Sequence, residues 1–142
     1  MVKFNIPVWT VLLGLFTFSF IVAYVSAVID ARIIRLKFGK IVSLNHLSRN
    51  IIRGTIFTGS TLLVCNSFYE FMLLLALQSL HFSLFFDIIL NYKRGLSPWY
   101  IGNTALLDML MRIWLSKNGG MAYATFKCLF IQIITYIYVA CH

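Results

Sequence analysis

The stretch IIRGTIFTGSTLLVCNSFYEFMLLLALQSLHFSLFFDIILNY, residues 51–92, runs for 42 residues and is overwhelmingly apolar. One helix of that length would reach about 63 Å, twice the roughly 30 Å of a bilayer's hydrocarbon core. It must therefore break. The polar cluster Cys65-Asn66-Ser67-Phe68-Tyr69-Glu70 is the natural hinge and gives a helical hairpin of about 51–67 and 71–92. The first arm is short and carries Arg53, whose long apolar stem lets the charge snorkel inward.

The rest of the chain has the same character. Of its 142 residues, 61% are hydrophobic and 11% charged, with a mean hydropathy of +0.88. A soluble domain carries about 25% charged residues. So few charges cannot cover a water-facing surface, and lipid is expected to be the solvent for much of the chain. Twelve Lys and Arg against four Asp and Glu give a net charge of +8. The basic residues sit in the gaps between apolar runs, so anionic headgroups, and not nucleic acid, are the expected partners.

Before the hairpin, residues 7–29 form an uncharged run long enough to span. Lys3 and the small residues Val25-Ser26-Ala27 allow a signal peptide as a rival reading, although the apolar run is long for one. Ser19, Ala23 and Ala27 recur every four residues, a small-residue seam for close helix approach. Residues 30–50 read as a basic loop, with room for a short helix lying on the headgroups, and set Arg32, Arg35, Lys37, Lys40 and Arg49 against the single acid Asp30. After the hairpin, Gly95 suits the left-handed position that ends a helix. A short interfacial or re-entrant helix is expected over about 104–115, and a last span over 121–141. The fold expected is an all-α membrane bundle of four transmembrane segments (about 7–29, 51–67, 71–92 and 121–141) in one domain.

Four spans place the 30–50 and 93–120 loops on one side. With Arg53 these hold ten of the twelve basic residues, which makes that side cytoplasmic. The chain is thus expected in the inner (cytoplasmic) membrane, multi-pass, with both termini outside. Three spans would put the two basic loops on opposite faces and break the rule.

In so apolar a chain the polar residues carry the information. Ser83, Asp87, Asn91 and Arg94 fall within a narrow sector of the third span, and Asp108 and Arg112 share a stripe on the short helix. Pairing of Asp87 with Arg112, or of Asp108 with Arg94, would lock the two helices together. The functional alternative is a polar pocket in which Asp87, Asp108 and His46, with Asn91, bind a cation or activate water. His81 and Gln132 lie near the middles of their spans. A hydrogen bond between them is the plain expectation, and proton relay or metal ligation by His81 the sharper one. Gln132 shares a small, polar face with Thr125, Cys128 and Thr135. Glu70, at the outer hinge, reads as hydrated. No HxxxH, HExxH or paired acidic motif occurs, so neither a metal nor a cofactor is expected. Cys65, Cys128 and Cys141 form no CxxC and read as packing residues, with a Cys65–Cys141 disulfide as an open possibility.

His81, Asp87, Leu90-Asn91, Arg94-Gly95, Tyr100, Gly102, Thr104 and Asp108, together with Gly39-Lys40 and Asn45-His46, form a pattern over about residues 30–110. It resembles a family of small polytopic membrane proteins, without assigned activity, from phages and prophages of gut anaerobic bacteria. The resemblance implies a phage setting and no mechanism. The expected function is therefore non-enzymatic: assembly in the membrane as a homo-oligomer, or contact with another membrane protein. Holin-like permeabilisation and superinfection exclusion are natural examples. The rival class is a small intramembrane hydrolase or transferase acting on lipid headgroups or phosphate esters through Asp87, Asp108 and His46.

Overall fold

The computed structural model describes residues 7–35, 42–101, 113 and 119–141. They form four helices, α1 (Val8–Arg35), α2 (Val42–Leu62), α3 (Phe68–Lys93) and α4 (Gly120–Ala140). No strand occurs among the described residues. The short helix expected over 104–115, with Asp108 and Arg112, falls almost entirely outside them.

The chain leaves helix at Leu63–Ser67, and the signals are local. Ser67 is the N-cap of α3, extended at φ −142° and ψ 161°. Its Oγ accepts from the Glu70 N–H at 3.1 Å. The Glu70 carboxylate reaches back to accept from the Asn66 N–H at 2.6 Å, a variant of the reciprocal box that satisfies orphan donors at a helix start. At the other end Gly95 takes φ +71°. Its N–H donates to the Tyr92 carbonyl at 3.0 Å, and that of Leu96 to Asn91 at 2.9 Å. This is the paired Schellman closure, which needs a residue that tolerates left-handed backbone.

One expected boundary is corrected. Helix α1 does not stop before a loop at residue 30 but continues to Arg35, and α2 begins at Val42. The cause is that Asp30 is buried and paired with cations from α2, so its charge does not have to leave the helix for water. Among the described residues three helices are long and apolar enough to cross a membrane, Val8–Ile34, Phe68–Lys93 and Gly120–Ala140. Helix α2 is not among them, because Asn45, His46, Arg49, Asn50 and Arg53 crowd its first half.

Side-chain contacts give the helix directions. Phe16 of α1 meets His81 and Phe85, Phe20 meets Phe85, and Tyr24 lies under Lys93, so α1 and α3 run parallel. Phe57 of α2 meets Phe82 and Arg53 meets Phe86, so α2 is antiparallel to both. Helix α4 is antiparallel to α3, with Lys127 against Asp87 and Tyr138 against Glu70. The ends of α1 and α3 and the starts of α2 and α4 therefore gather at one end, which is also the basic end. Helix α3 is central and touches the other three.

The seam on α1 is buried: Ser19, Ala23 and Ala27 have no exposed surface, and Ala31 continues the line. Small side chains there let α1 lie close to α3, its principal neighbour. At the end away from the basic cluster, Val11 and Leu15 of α1, Leu74 of α3 and Tyr138 of α4 close the core.

Candidate functional site

Two ion clusters organise the basic end. Asp30, only 2% exposed, accepts from Arg49 at 2.6 Å on one carboxylate oxygen and from Arg53 at 3.0 Å on the other. Arg53 makes a second contact, on α3. Its guanidinium is held by Asp30 and lies over the Phe86 ring, 4.9 Å from the centroid, where the ring's negative face favours a cation. Burying a carboxylate at this depth is costly, and two charge-assisted hydrogen bonds offset the cost.

The second cluster joins α3 to α4. Asp87 meets Lys127 of α4 at 2.6 Å. The Lys127 ammonium also lies 4.2 Å from the centroid of the Tyr123 ring, one turn earlier. Arg112 and Asp108 lie outside the described residues, and so does the His46 side chain, although His46 itself belongs to α2. Arg94 lines the same region and is exposed. Asn91 is 5% exposed. Its amide donates to the carbonyls of Tyr100 at 2.8 Å and Pro98 at 3.3 Å, so it clamps the turn after α3. Ser83 turns its hydroxyl back to the Leu80 carbonyl at 3.3 Å.

Between these groups lies a cavity of about 400 Å³. Asp30 and Arg53 border it on one side, Asp87 and Lys127 on another, and Asn91, Arg94 and Trp99 toward the turn. The face Ser83–Asp87–Asn91–Arg94 read from the sequence thus lines one concavity. Both described carboxylates on it are already engaged by cations, while Asp87 keeps 44% of its side chain exposed.

The expected contact between His81 and Gln132 is absent. His81 packs edge-on against Phe16, ring centroids 5.2 Å apart, and stacks on Phe85. Its buried Nδ1 has no hydrogen-bond partner of good geometry, only a marginal contact with the Leu77 backbone. Gln132 is exposed on α4. The polar bond midway along the bundle is made elsewhere. Gln78, fully buried, accepts from Thr61 at 2.8 Å and donates to Ser60 at 3.0 Å, tying α3 to α2. Glu70 is also buried, not hydrated, and accepts from the Tyr138 hydroxyl at 3.1 Å.

The sequence reading therefore missed Asp30 with Arg49, Lys127, Gln78, and Glu70 with Tyr138. Lys127 carried a usable signal: an ammonium seven residues into a long apolar run demands a counter-ion. Cys65, Cys128 and Cys141 are all free. Among the described residues no group of three or more His, Cys, Asp or Glu is placed to hold a metal. Comparisons with family models, with curated proteins and with solved structures find no match.

Proposed function

We propose that the protein is a four-span, non-enzymatic membrane bundle that acts by assembling in the membrane or by contacting another membrane protein. The observation that carries this reading is the use made of its charges. Asp30 and Asp87, the two acids of the cleft among the described residues, are spent on holding α1 to α2 and α3 to α4. The outer faces are apolar, with Trp9, Leu13, Tyr69, Phe130 and Tyr136 all exposed. Surfaces of that kind seek lipid or another helix. The alternation of helix directions supports α2 as the fourth span and supports a shared, cytoplasmic face for the basic end. The phage resemblance adds holin-like permeabilisation or superinfection exclusion as concrete forms.

A hydrolase or transferase built on Asp87, Asp108 and His46 keeps one supporting observation, the partial opening of Asp87 to the cavity. The two readings part in one experiment. Wild type, Asp87→Asn and the double variant Asp87→Asn/Lys127→Gln are expressed in bacteria, with growth, membrane potential and membrane accumulation recorded. Under the assembly reading Asp87→Asn accumulates poorly, and the double variant recovers both accumulation and cellular effect. A double variant that accumulates like wild type but has no effect would favour catalysis.

A further inference from the structure

Helix α4 turns two different faces outward from its axis. Gly120, Lys127 and Tyr138 are buried against the bundle. About a third of a turn away, Met121, Thr125, Cys128, Gln132, Thr135 and Val139 follow one another at intervals of four and three. That alternation keeps one seam on one side of a helix and is the repeat of two helices packed side by side. The first four of these residues are exposed, and the last two half-buried. The Thr125 hydroxyl is satisfied within its own helix, donating to the Met121 carbonyl at 2.9 Å. Gln132, in the middle of the seam and of the helix, makes no hydrogen bond among the described residues.

An amide has two donors and one acceptor, and hydrocarbon satisfies none of them. We propose that the seam is covered by α4 of a second copy of this chain, with Gln132 bonded to its counterpart. Two copies inserted the same way are related by an axis along the membrane normal, so each seam residue meets its own equivalent. A glutamine is among the few side chains that can then serve as its own partner, both donating and accepting. Thr125, Cys128 and Thr135 are small enough to let the backbones approach. A single polar residue in such a repeat also fixes register. The inference rests on the assembly reading above and names its partner.

The test uses the full chain in phosphatidylcholine–phosphatidylglycerol vesicles, with Cys65→Ser and Cys141→Ser leaving Cys128 as the reporter. Mild oxidation is expected to give a disulfide-linked dimer through Cys128. Energy transfer between labelled copies is expected to show Gln132→Leu weakening the dimer roughly five- to tenfold, the worth of two modest interhelical bonds. Gln132 is exposed, so this change leaves the bundle intact. Phe126→Leu, on another exposed face of α4, is expected to leave the dimer constant unchanged. A chain that stays monomeric at high protein-to-lipid ratio overturns the pairing, as does a dimer indifferent to Gln132. Cross-linking of Cys128 in cells to a different protein, with no self-association in vesicles, overturns it too. The cellular readout is separate: a monomeric chain that still depolarises cells leaves the proposed function standing. A chain that pairs through Gln132 without any effect on growth or potential sinks that function and spares the pairing.

Discussion

Asp30 and Asp87 are each matched by a cation, but they leave different things behind when removed. Asp30 neutralises two part-buried guanidiniums, whose side chains are 16% and 11% exposed. Replacing it by Asn strands both and should cost about 3–5 kcal/mol. Arg49→Gln removes one of two partners and should cost roughly 1–2 kcal/mol. At the other pair Lys127 is 8% exposed and Asp87 44%. Asp87→Asn strands a buried ammonium, whereas Lys127→Gln leaves a carboxylate that the cleft can hydrate, so the first should be the costlier by about 1–2 kcal/mol. Equilibrium unfolding in mixed micelles checks both orders. Equal losses at Asp87 and Lys127 would mean that the pair is solvated at both ends. Which face of α3 carries Ser83, Asp87, Asn91 and Arg94 was readable, because helical periodicity is local. The partners were not. Asp87 finds its cation 40 residues away, and nothing in spacing alone favours Lys127 over a nearer arginine.

At the scale of helices, the breaks were readable wherever a residue type forces them. Gly95 and the Ser67-x-x-Glu70 pair are signals of backbone chemistry, and α3 starts and stops beside them. The boundary of α1 was not readable, because an acid after a long apolar run looks like the end of a helix until its counter-ions on α2 are known. Gly120 is a further case. A Cβ there would collide with the Trp99 carbonyl, so the first turn of α4 rests directly on the backbone of the turn after α3. Backbone cannot yield as a flexible side chain does. Gly120→Ala should therefore destabilise by about 1–3 kcal/mol, displacing Trp99. Intrinsic tryptophan fluorescence, with Trp9 and Trp114 replaced by Phe, should shift in step with the loss of stability. An unchanged spectrum and melting temperature would mean that α4 starts elsewhere.

For the whole molecule, the deciding feature is that α1 and α3 are parallel neighbours while α2 and α4 run the other way. Charge counting anticipated one basic end, and the contact pattern has one. It did not anticipate that α2 would be the weakly apolar member, with Asn45, His46, Arg49, Asn50 and Arg53 interleaved among its apolar residues. If all four helices cross the membrane, cysteines at Lys37 and Lys117 should be labelled from the same face in intact cells and inverted vesicles. Labelling from opposite faces would require α2 to lie along the surface and would undo the four-span arrangement.

The pairing of early residues with late ones also sets a timetable for synthesis. A ribosome adds about 5–20 residues per second. Asp30 and Arg53 are 23 residues apart, so that acid waits about one to five seconds for its second cation. Asp87 and Lys127 are separated by 40 residues, and Glu70 and Tyr138 by 68. The contacts thus close in the order of emergence, α1 with α2, then α2 with α3, and α4 last. Until α4 leaves the ribosome, the nascent protein holds Asp87 without Lys127 and Glu70 without Tyr138. A message cut before codon 127 would make a chain that keeps its first clasp and never acquires its last.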